Sequence, residues 1–331
     1  LRYGSFHAPK MQLFFFKLTL EGYFSRTTQS DLARLLAVEM IRCRWIGLNV
    51  SIPEYPEERL TDPLARMLEE LSDHNLHNAF YYAGCARKKN PGLLIQTLLR
   101  IGAEHISDNL GHSLSCFYPI MSELAAGGHR LAGAGIFSYL LYLSRYPVPP
   151  GIGEEKPDWG SSESEKLLRR CASEKGIGNL HHMITYFILS DWNRAFFYQN
   201  ESAPFQPLIK WIGDKEIDRG REETAETIGE ETDLPETYDD FTGIFRFENL
   251  GPSLPIIFGL LRRTPPSAVD WIFRLYASRH GEIDWNPHYF TGLYCAIKLL
   301  LSGEKLDPIG GSMALIQAIE YFAENLLEIE D

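Results

Sequence analysis

The sequence is short of basic residues, and this shortage limits the partners that the protein can have. Lysine and arginine together number 32 against 44 aspartate and glutamate residues, so the 331-residue chain carries a formal net charge of −12. A surface that binds nucleic acid or an anionic membrane needs clustered lysine and arginine side chains. The composition therefore predicts no nucleic-acid partner and no membrane partner.

Long apolar runs and a regular set of cysteines are missing as well. The stretch MQLFFFKLTL is too short to span a bilayer and is interrupted by Lys17. The five cysteines are odd in number, far apart and mostly set in apolar stretches such as SLSCFY and GLYCAIKLL. This pattern is typical of reduced, buried thiols rather than of a disulfide framework or a zinc knuckle. We therefore expect a cytoplasmic protein.

Named nucleotide and metal motifs are also lacking. The glycine-containing segments GAGIF, GIGEE and GIGNL have neither the preceding strand nor the spacing of a phosphate-binding loop. There is no HExxH, and no glutamate stands three residues before any histidine, which excludes the carboxylate-bridged di-iron bundles. A metal ion would therefore have to be held mostly by histidines from different helices.

Helical patterns dominate what is present. Alternation of apolar and polar residues, the signal of a strand, hardly occurs outside residues 11–20. Apolar residues otherwise recur at helical spacing, and helix starts are indicated at Asp62-Pro63, Asn90-Pro91 and Asn286-Pro287. We predict an all-α fold of about 12–13 helices, arranged as a multi-helix bundle or as stacked helix pairs.

One segment divides the chain. Residues 147–163, PVPPGIGEEKPDWGSSE, are rich in proline and glycine and have few apolar anchors, which is typical of a surface connection. The sequence thus predicts an N-terminal helical part (1–146) with histidine-rich helices, a linker (147–163) and a C-terminal helical part (164–331). A single continuous domain is the alternative.

The acidic segment, Asp214–Asp240, is the second unusual stretch. It contains twelve acidic residues against three basic ones, which are Lys215, Arg219 and Arg221. Charge runs of this kind repel themselves and stay hydrated. We therefore expect residues 214–240 to form a solvated face or loop that does not pack against the core.

Histidines in apolar surroundings supply the candidate chemistry. His74 and His77 are three residues apart, which puts both on one side of a helix. His105, Asp108 and His112 would form one stripe of a continuous helix, and imidazole with carboxylate suits both metal binding and general base catalysis. A structural role in the core or at a helix cap is the competing interpretation. We predict His105, Asp108 and His112 as catalytic residues, and as metal ligands His74, His77, His181, His182 and His288.

The positions of these histidines also predict where they lie. Each of the four groups, His74/His77, His105/His112, His181/His182 and His288, follows a turn signal and enters an apolar helix. We expect at least three of the four groups to meet in one cavity, with nitrogen atoms about 4–7 Å apart.

The same blocks carry a resemblance to a known family. In order they read DHNLHNAFYYAG, GAEHISDNLGHSL, GNLHHMITYF, PHYFTGLYCAIKLL and MALIQAIEYFAENL. Over about residues 60–328 this order resembles the questin oxidase-like family. The resemblance implies a mainly helical oxidoreductase that performs oxygen-dependent Baeyer–Villiger oxidation of an aromatic or polyketide-like small molecule, with NADPH as co-substrate. Only the histidines within the blocks are carried over, and a transition metal is a second candidate cofactor.

Two alternatives belong to other functional classes. Arg100 and His105 form an R-x-x-x-x-H pair, which resembles the catalytic signature of the HEPN ribonucleases and would imply an RNA substrate. The other alternative is a non-catalytic helical scaffold or accessory subunit, in which the histidines are structural and residues 214–240 bind a basic protein partner.

Overall fold

The computed structural model describes residues 7–42, 61–115, 117–125, 131–150, 166–196, 205–228, 233–246, 249–279, 286–303 and 307–327. Every regular element in these ranges is helical, so the predicted all-α fold is confirmed. The α-helices are α1 His7–Leu20, α2 Arg26–Arg42, α3 Pro63–Ser72, α4 Leu76–Lys89, α5 Pro91–Glu104, α6 His112–Ser115, α7 Tyr118–Ala125, α8 Leu131–Leu143, α9 Leu167–Cys171, α10 Ile177–Phe196, α11 Gln206–Ile212, α12 Arg219–Thr227, α13 Tyr238–Ile244, α14 Ser253–Arg263, α15 Pro265–Arg279, α16 Pro287–Gly303 and α17 Pro308–Leu327.

The helix starts follow from proline and its capping neighbour. The Asp62 side chain accepts a hydrogen bond from the Ala65 amide at 3.0 Å, and Asn90 accepts one from the Leu93 amide at 3.0 Å. Proline occupies the next position in both cases, where its missing N–H costs no helical hydrogen bond. Helix α16 likewise begins at Pro287, as predicted.

Helix α1 forms where the sequence offered its only strand-like pattern. Its buried side chains include Met11, Phe14, Phe15 and Leu18, which recur at the three- and four-residue spacing of a helix. The apparent alternation arises because Phe16 and Leu20, on the opposite face, are apolar but exposed. None of the described helices is both long enough and apolar enough to cross a bilayer.

The chain divides into two compact units. Unit 1 comprises Leu1–Arg44, Ser162–Phe187 and Ile212–Asp331, and unit 2 comprises Trp45–Ser161 and Ile188–Trp211. The units are interleaved along the sequence, because each is built from more than one segment. Residues 151–163, which are most of the predicted linker at 147–163, lie outside the described part of the chain, so that boundary stays a prediction.

Unit 1 is built around the antiparallel neighbours α16 and α17. Helices α9 and α12 pack against α17, while α1 and α15 pack against α16 and α2 lies against both α1 and α15. Its aromatic core includes Phe14 of α1, which stacks on Tyr294 of α16 with ring centroids 3.9 Å apart. Phe187 of α10 meets Tyr294 edge-on at 5.7 Å. These contacts join α1, α10 and α16.

Unit 2 is organised around the helix pair α3–α4. Helix α4 also packs against α5 and α8, and α7 packs against both α5 and α8. Phe117 and Tyr139 lie 4.4 Å apart between ring centroids, and Phe80 meets Phe137 edge-on at 5.0 Å. The Tyr139 hydroxyl, which is fully buried, donates a hydrogen bond to the Leu98 carbonyl at 3.2 Å.

The expectation that the acidic segment does not pack is wrong. Helix α12 forms within it, α13 begins at its end, and α12 packs against α17. Arg221 is only 8% exposed; it donates to the Ala172 carbonyl at 2.8 Å and pairs with the Glu320 carboxylate of α17. The segment is held by one of its few basic residues, which the count of acidic residues does not reveal.

A second ion-pair group strengthens this attachment. Arg169 of α9 contacts Glu222 of α12 at 2.7 Å and Asp307, just before α17, at 2.9 Å. The Gln317 amide of α17 donates to the Glu174 carbonyl at 2.7 Å. Because these residues come from four parts of the chain, they fix α9, α12 and α17 as one packed group.

Replacement of Arg221 tests this account of the acidic segment. Burial raises the pKa of Glu320, while the Arg221 guanidinium opposes that rise. In Arg221→Ala the Glu320 carboxylate loses its buried partner, so we expect the free energy of unfolding in urea to fall by about 2–4 kcal/mol at pH 7. Arg219→Ala, an exposed change on the same helix, should cost no more than about 0.5 kcal/mol. Equal small losses in both variants would show that α12 is not anchored through Arg221.

Candidate functional site

Three imidazoles from three helices of unit 1 meet. His7 of α1 and His288 of α16 have ring centroids 4.7 Å apart, and His181 of α10 lies 4.5 Å from His288. His7 and His181 are buried and His288 is half-buried. A ring nitrogen of His7 lies within 4.8 Å of one of His288. We call His7, His181 and His288 the histidine cluster.

The backbone of α10 determines the orientation of His181. Its Nδ1 lies 2.7 Å from the carbonyl oxygen of Ile177, one turn earlier in the same helix. A carbonyl oxygen only accepts hydrogen bonds, so Nδ1 carries the proton in this contact. In the neutral ring the lone pair is then on Nε2.

A chain of hydrogen bonds does the same for His288. The Asn286 side-chain oxygen accepts from Nδ1 of His288 at 2.6 Å and from its backbone N–H at 3.0 Å. The backbone N–H of His288 can only donate, so it fixes the amide of Asn286 with its oxygen toward His288. The Asn286 amide nitrogen then donates to the hydroxyl of Tyr321 on α17 at 2.8 Å. Nε2 of the neutral His288 ring is therefore the nitrogen with the lone pair.

An aromatic layer supports the cluster. Phe14, Phe187 and Tyr294 come from the same three helices, six or seven residues beyond the histidines, or about 9–11 Å along each helix axis. Gly292, one turn beyond His288, lets Leu180 approach α16, since a Cβ at that position would lie 3.0 Å from Leu180 Cδ1. The rings are thus held by a packed core on one side.

Two residues near the start of α1 were missed by the sequence analysis. His7 belongs to the cluster, and Lys10, one turn later, is only 1% exposed. A lysine is rarely buried so completely, because taking its ammonium group out of water is costly. Had residues 11–20 been assigned to a helix, the spacing of His7 and Lys10 with Met11 and Phe14 would have placed both on its buried side.

The predicted ligands His181 and His182 point to different surroundings. His182 is near Lys215 and Glu174 rather than in the cluster. Burial, with a smaller contribution from Lys215, lowers the pKa of His182 to about 4, and Glu174 opposes the change. Its role as a metal ligand stays a prediction.

The structure places His74 and His77 at the surface of unit 2. Both are exposed; His74 lies in the turn before α4 with a left-handed backbone (φ 57°), and His77 is in the first turn of α4. Neither lies in the segments that form unit 1. Their role as metal ligands stays a prediction.

The predicted catalytic stripe does not lie on one helix. Helix α5 ends at Glu104, and positive φ angles at Leu110 (54°) and Gly111 (71°) separate it from α6. His105 and Asp108 nevertheless contact each other at 3.0 Å across a short 3-10 turn. The stripe was predicted on the assumption that the helix continues through Gly111, and that assumption is wrong.

His105 and His112 both make local hydrogen bonds that stabilise the segment after α5. The other ring nitrogen of His105 lies 2.9 Å from the Pro147 carbonyl oxygen, so acceptors of the chain engage both nitrogens. Nδ1 of His112 lies 2.6 Å from the Asn109 carbonyl oxygen. These contacts tie the segment after α5 together. The catalytic roles of His105, Asp108 and His112, and the HEPN-like pairing with Arg100, stay predictions.

Two of the four predicted histidine groups meet within unit 1. These are His181 of the third group and His288, and His7, which no group contained, joins them. The expectation that at least three of the four groups converge stays a prediction.

The environment of His182 predicts how stability depends on pH. In the unfolded chain the pKa of His182 is near its ordinary value of 6.5, whereas in the folded protein the pKa is about 4. The unfolded chain therefore binds a proton at this ring more readily. Acidification from pH 7 to 4.5 therefore favours unfolding, and His182 should account for about 2–3 kcal/mol of the loss. Urea denaturation at several pH values should show a smaller decline in His182→Asn. The exposed-site variant His77→Gln should follow the wild-type profile, and coincident profiles for all three proteins would refute the assignment.

Comparison with known proteins leaves the chain to be interpreted from its own residues. No family model, no curated protein and no solved structure matches it. The likeness to the questin oxidase-like family therefore depends on the histidine-bearing blocks quoted above. Of those histidines, His181 and His288 enter the cluster.

Proposed function

We propose that the protein is a helical oxidoreductase whose reaction centre is the histidine cluster of unit 1. The observation that carries this proposal is the meeting of His7, His181 and His288, in which an oxygen acceptor fixes the protonated Nδ1 of the last two rings. Buried imidazoles with fixed tautomers can accept a proton at a defined atom or hold a metal ion.

The resemblance to the questin oxidase-like family supports the choice of reaction. In a Baeyer–Villiger oxidation, one oxygen atom of dioxygen is inserted between a carbonyl carbon and its neighbour, and the other becomes water. The two electrons come from NADPH, which leaves as NADP⁺ with uptake of one proton. The substrate proposed here is an aromatic or polyketide-like ketone.

Aromatic side chains beside the cluster are a second argument for an aromatic substrate. Tyr289, adjacent to His288, packs against Tyr321 and Phe322 of α17 with ring centroids 5.4 and 5.7 Å apart. Aromatic rings favour offset or edge-on contacts with another aromatic ring. With its acidic composition, the protein is proposed to act in the cytoplasm on a small molecule rather than on nucleic acid.

A non-catalytic scaffold is the second candidate function. The structure of α12 indicates which surface a basic protein partner would bind. The side of α12 that carries Arg221 and Ala225 is buried, whereas Glu223 and Glu226 are exposed. A basic protein partner would therefore meet the outer face of α12. Capture of a lysine-rich peptide at low salt, lost in the double variant Glu223→Gln/Glu226→Gln, would favour this candidate over the enzyme.

The enzyme is tested by coupled oxygen consumption. Purified protein supplied with NADPH, dioxygen and an aromatic ketone should consume both co-substrates in a 1:1 ratio and form the corresponding ester. His288→Ala should lower the rate by about 100-fold or more, because the proposed centre loses an imidazole. Arg219→Ala, an exposed change on α12, should retain the wild-type rate. Equal rates in the wild type and His288→Ala would move the chemistry away from the cluster.

A further inference from the structure

We propose that His105 is a pH-sensitive latch, which holds the segment after α8 against the end of α5 when its ring is charged. The latch consists of His105, Asp108 and the backbone carbonyl of Pro147. All three residues lie in unit 2, so the inference goes beyond the reaction proposed for the histidine cluster and does not depend on it. Pro147 is the first residue of the predicted linker, so the latch acts where that segment begins.

Both ring nitrogens of His105 face oxygen atoms that accept hydrogen bonds. Nδ1 lies 3.0 Å from a carboxylate oxygen of Asp108, and Nε2 lies 2.9 Å from the Pro147 carbonyl oxygen. A carbonyl oxygen only accepts, and so does an ionised carboxylate, whereas a neutral imidazole has a single N–H. The two bonds together therefore require one more proton. Because imidazole is a stronger base than a carboxylate, that proton resides on the ring.

The groups that face the ring come from two parts of the chain, and both stabilise its charged form. The Asp108 carboxylate, on the 3-10 turn, is a counter-ion for His105, whose side chain is only 10% exposed. Tyr146, from the segment after α8, stacks on the imidazole with centroids 4.9 Å apart, and an aromatic face attracts a cation. The Tyr146 hydroxyl lies 3.5 Å from the Tyr142 hydroxyl, and the Arg145 guanidinium lies over the Tyr142 ring at 5.6 Å.

The α5 side of the latch is held by bonds that do not involve the imidazole. The Asn109 amide donates to the His105 carbonyl at 2.8 Å and accepts from the Ser113 backbone N–H at 3.0 Å. The Ser113 hydroxyl donates to the Gly102 carbonyl at 2.7 Å. Amide and hydroxyl groups do not change charge between pH 5 and 8. Loss of the ring proton therefore weakens the attachment of Pro147 and leaves the turn after α5 in place.

Acid closes the latch and base opens it. The closed form holds one proton more than an open form with a neutral ring, so a fall in pH favours closure and a rise favours opening. Histidine changes charge between pH 5 and 8, which is the range over which the latch responds. A hydrogen bond to a carboxylate is stronger than one to a carbonyl. The single N–H of the neutral ring therefore stays with Asp108, and Pro147 is released.

Hydrogen exchange at the Tyr146 amide tests the latch, because this N–H donates to the Leu143 carbonyl at 2.9 Å next to Pro147. In the wild type its protection factor, which corrects for the intrinsic pH dependence of exchange, should fall by about tenfold from pH 5.5 to pH 8. In Asp108→Asn the new amide can donate to Nδ1 while Nε2–H holds Pro147, so protection should be high at both pH values. Asp73→Asn, the same change at an exposed acid of unit 2, should follow the wild type.

Equal protection at pH 5.5 and pH 8 in the wild type would overturn the proposal, as would the same pH dependence in the wild type and in Asp108→Asn. Circular dichroism checks that each variant is folded. Nitrogen magnetic resonance of the wild-type imidazole needs no substitution. It should show protons on both nitrogens of His105 at pH 5.5 and on one at pH 8, and a singly protonated ring at pH 5.5 would also refute the latch.

Discussion

The packing of α1, α10 and α16 through three aromatic rings is the contact on which the candidate site depends. Phe14 stacks on Tyr294, and Phe187 meets both rings edge-on, so each helix is held by the other two. In each helix a histidine precedes its aromatic residue by six or seven positions, and the three helices therefore pass the cluster in the same general direction. Three segments that are distant in sequence can in this way present imidazoles at one level.

The general fold was predictable from local signals, because those signals have local causes. Asp62 and Asn90 cap the helices that begin at Pro63 and Pro91 through hydrogen bonds that span three residues. Such contacts need no information from the rest of the chain. The same reasoning failed for α1, where the exposed Phe16 and Leu20 imitate a strand pattern that only knowledge of the buried face resolves.

The candidate site was only partly predictable, because it depends on tertiary packing. The sequence singled out His181 and His288 from their apolar surroundings, but it could not distinguish His181, directed to the cluster, from His182, directed to Lys215 and Glu174. A one-residue step along a helix turns a side chain by about 100°, so neighbours reach different environments. His7 was missed because its partners lie more than 170 positions away in the sequence.

The anchoring of α12 by Arg221 also has a consequence for how the sequence can vary. Most acidic side chains of residues 214–240 in the described part of the chain are exposed, whereas Arg221 is buried against α17. Exchange of one exposed acid for a neutral residue changes the surface charge but leaves the packing intact. The net charge of this segment can therefore vary widely among natural variants. Arg221, in contrast, has to be retained, although the composition of the segment does not draw attention to it.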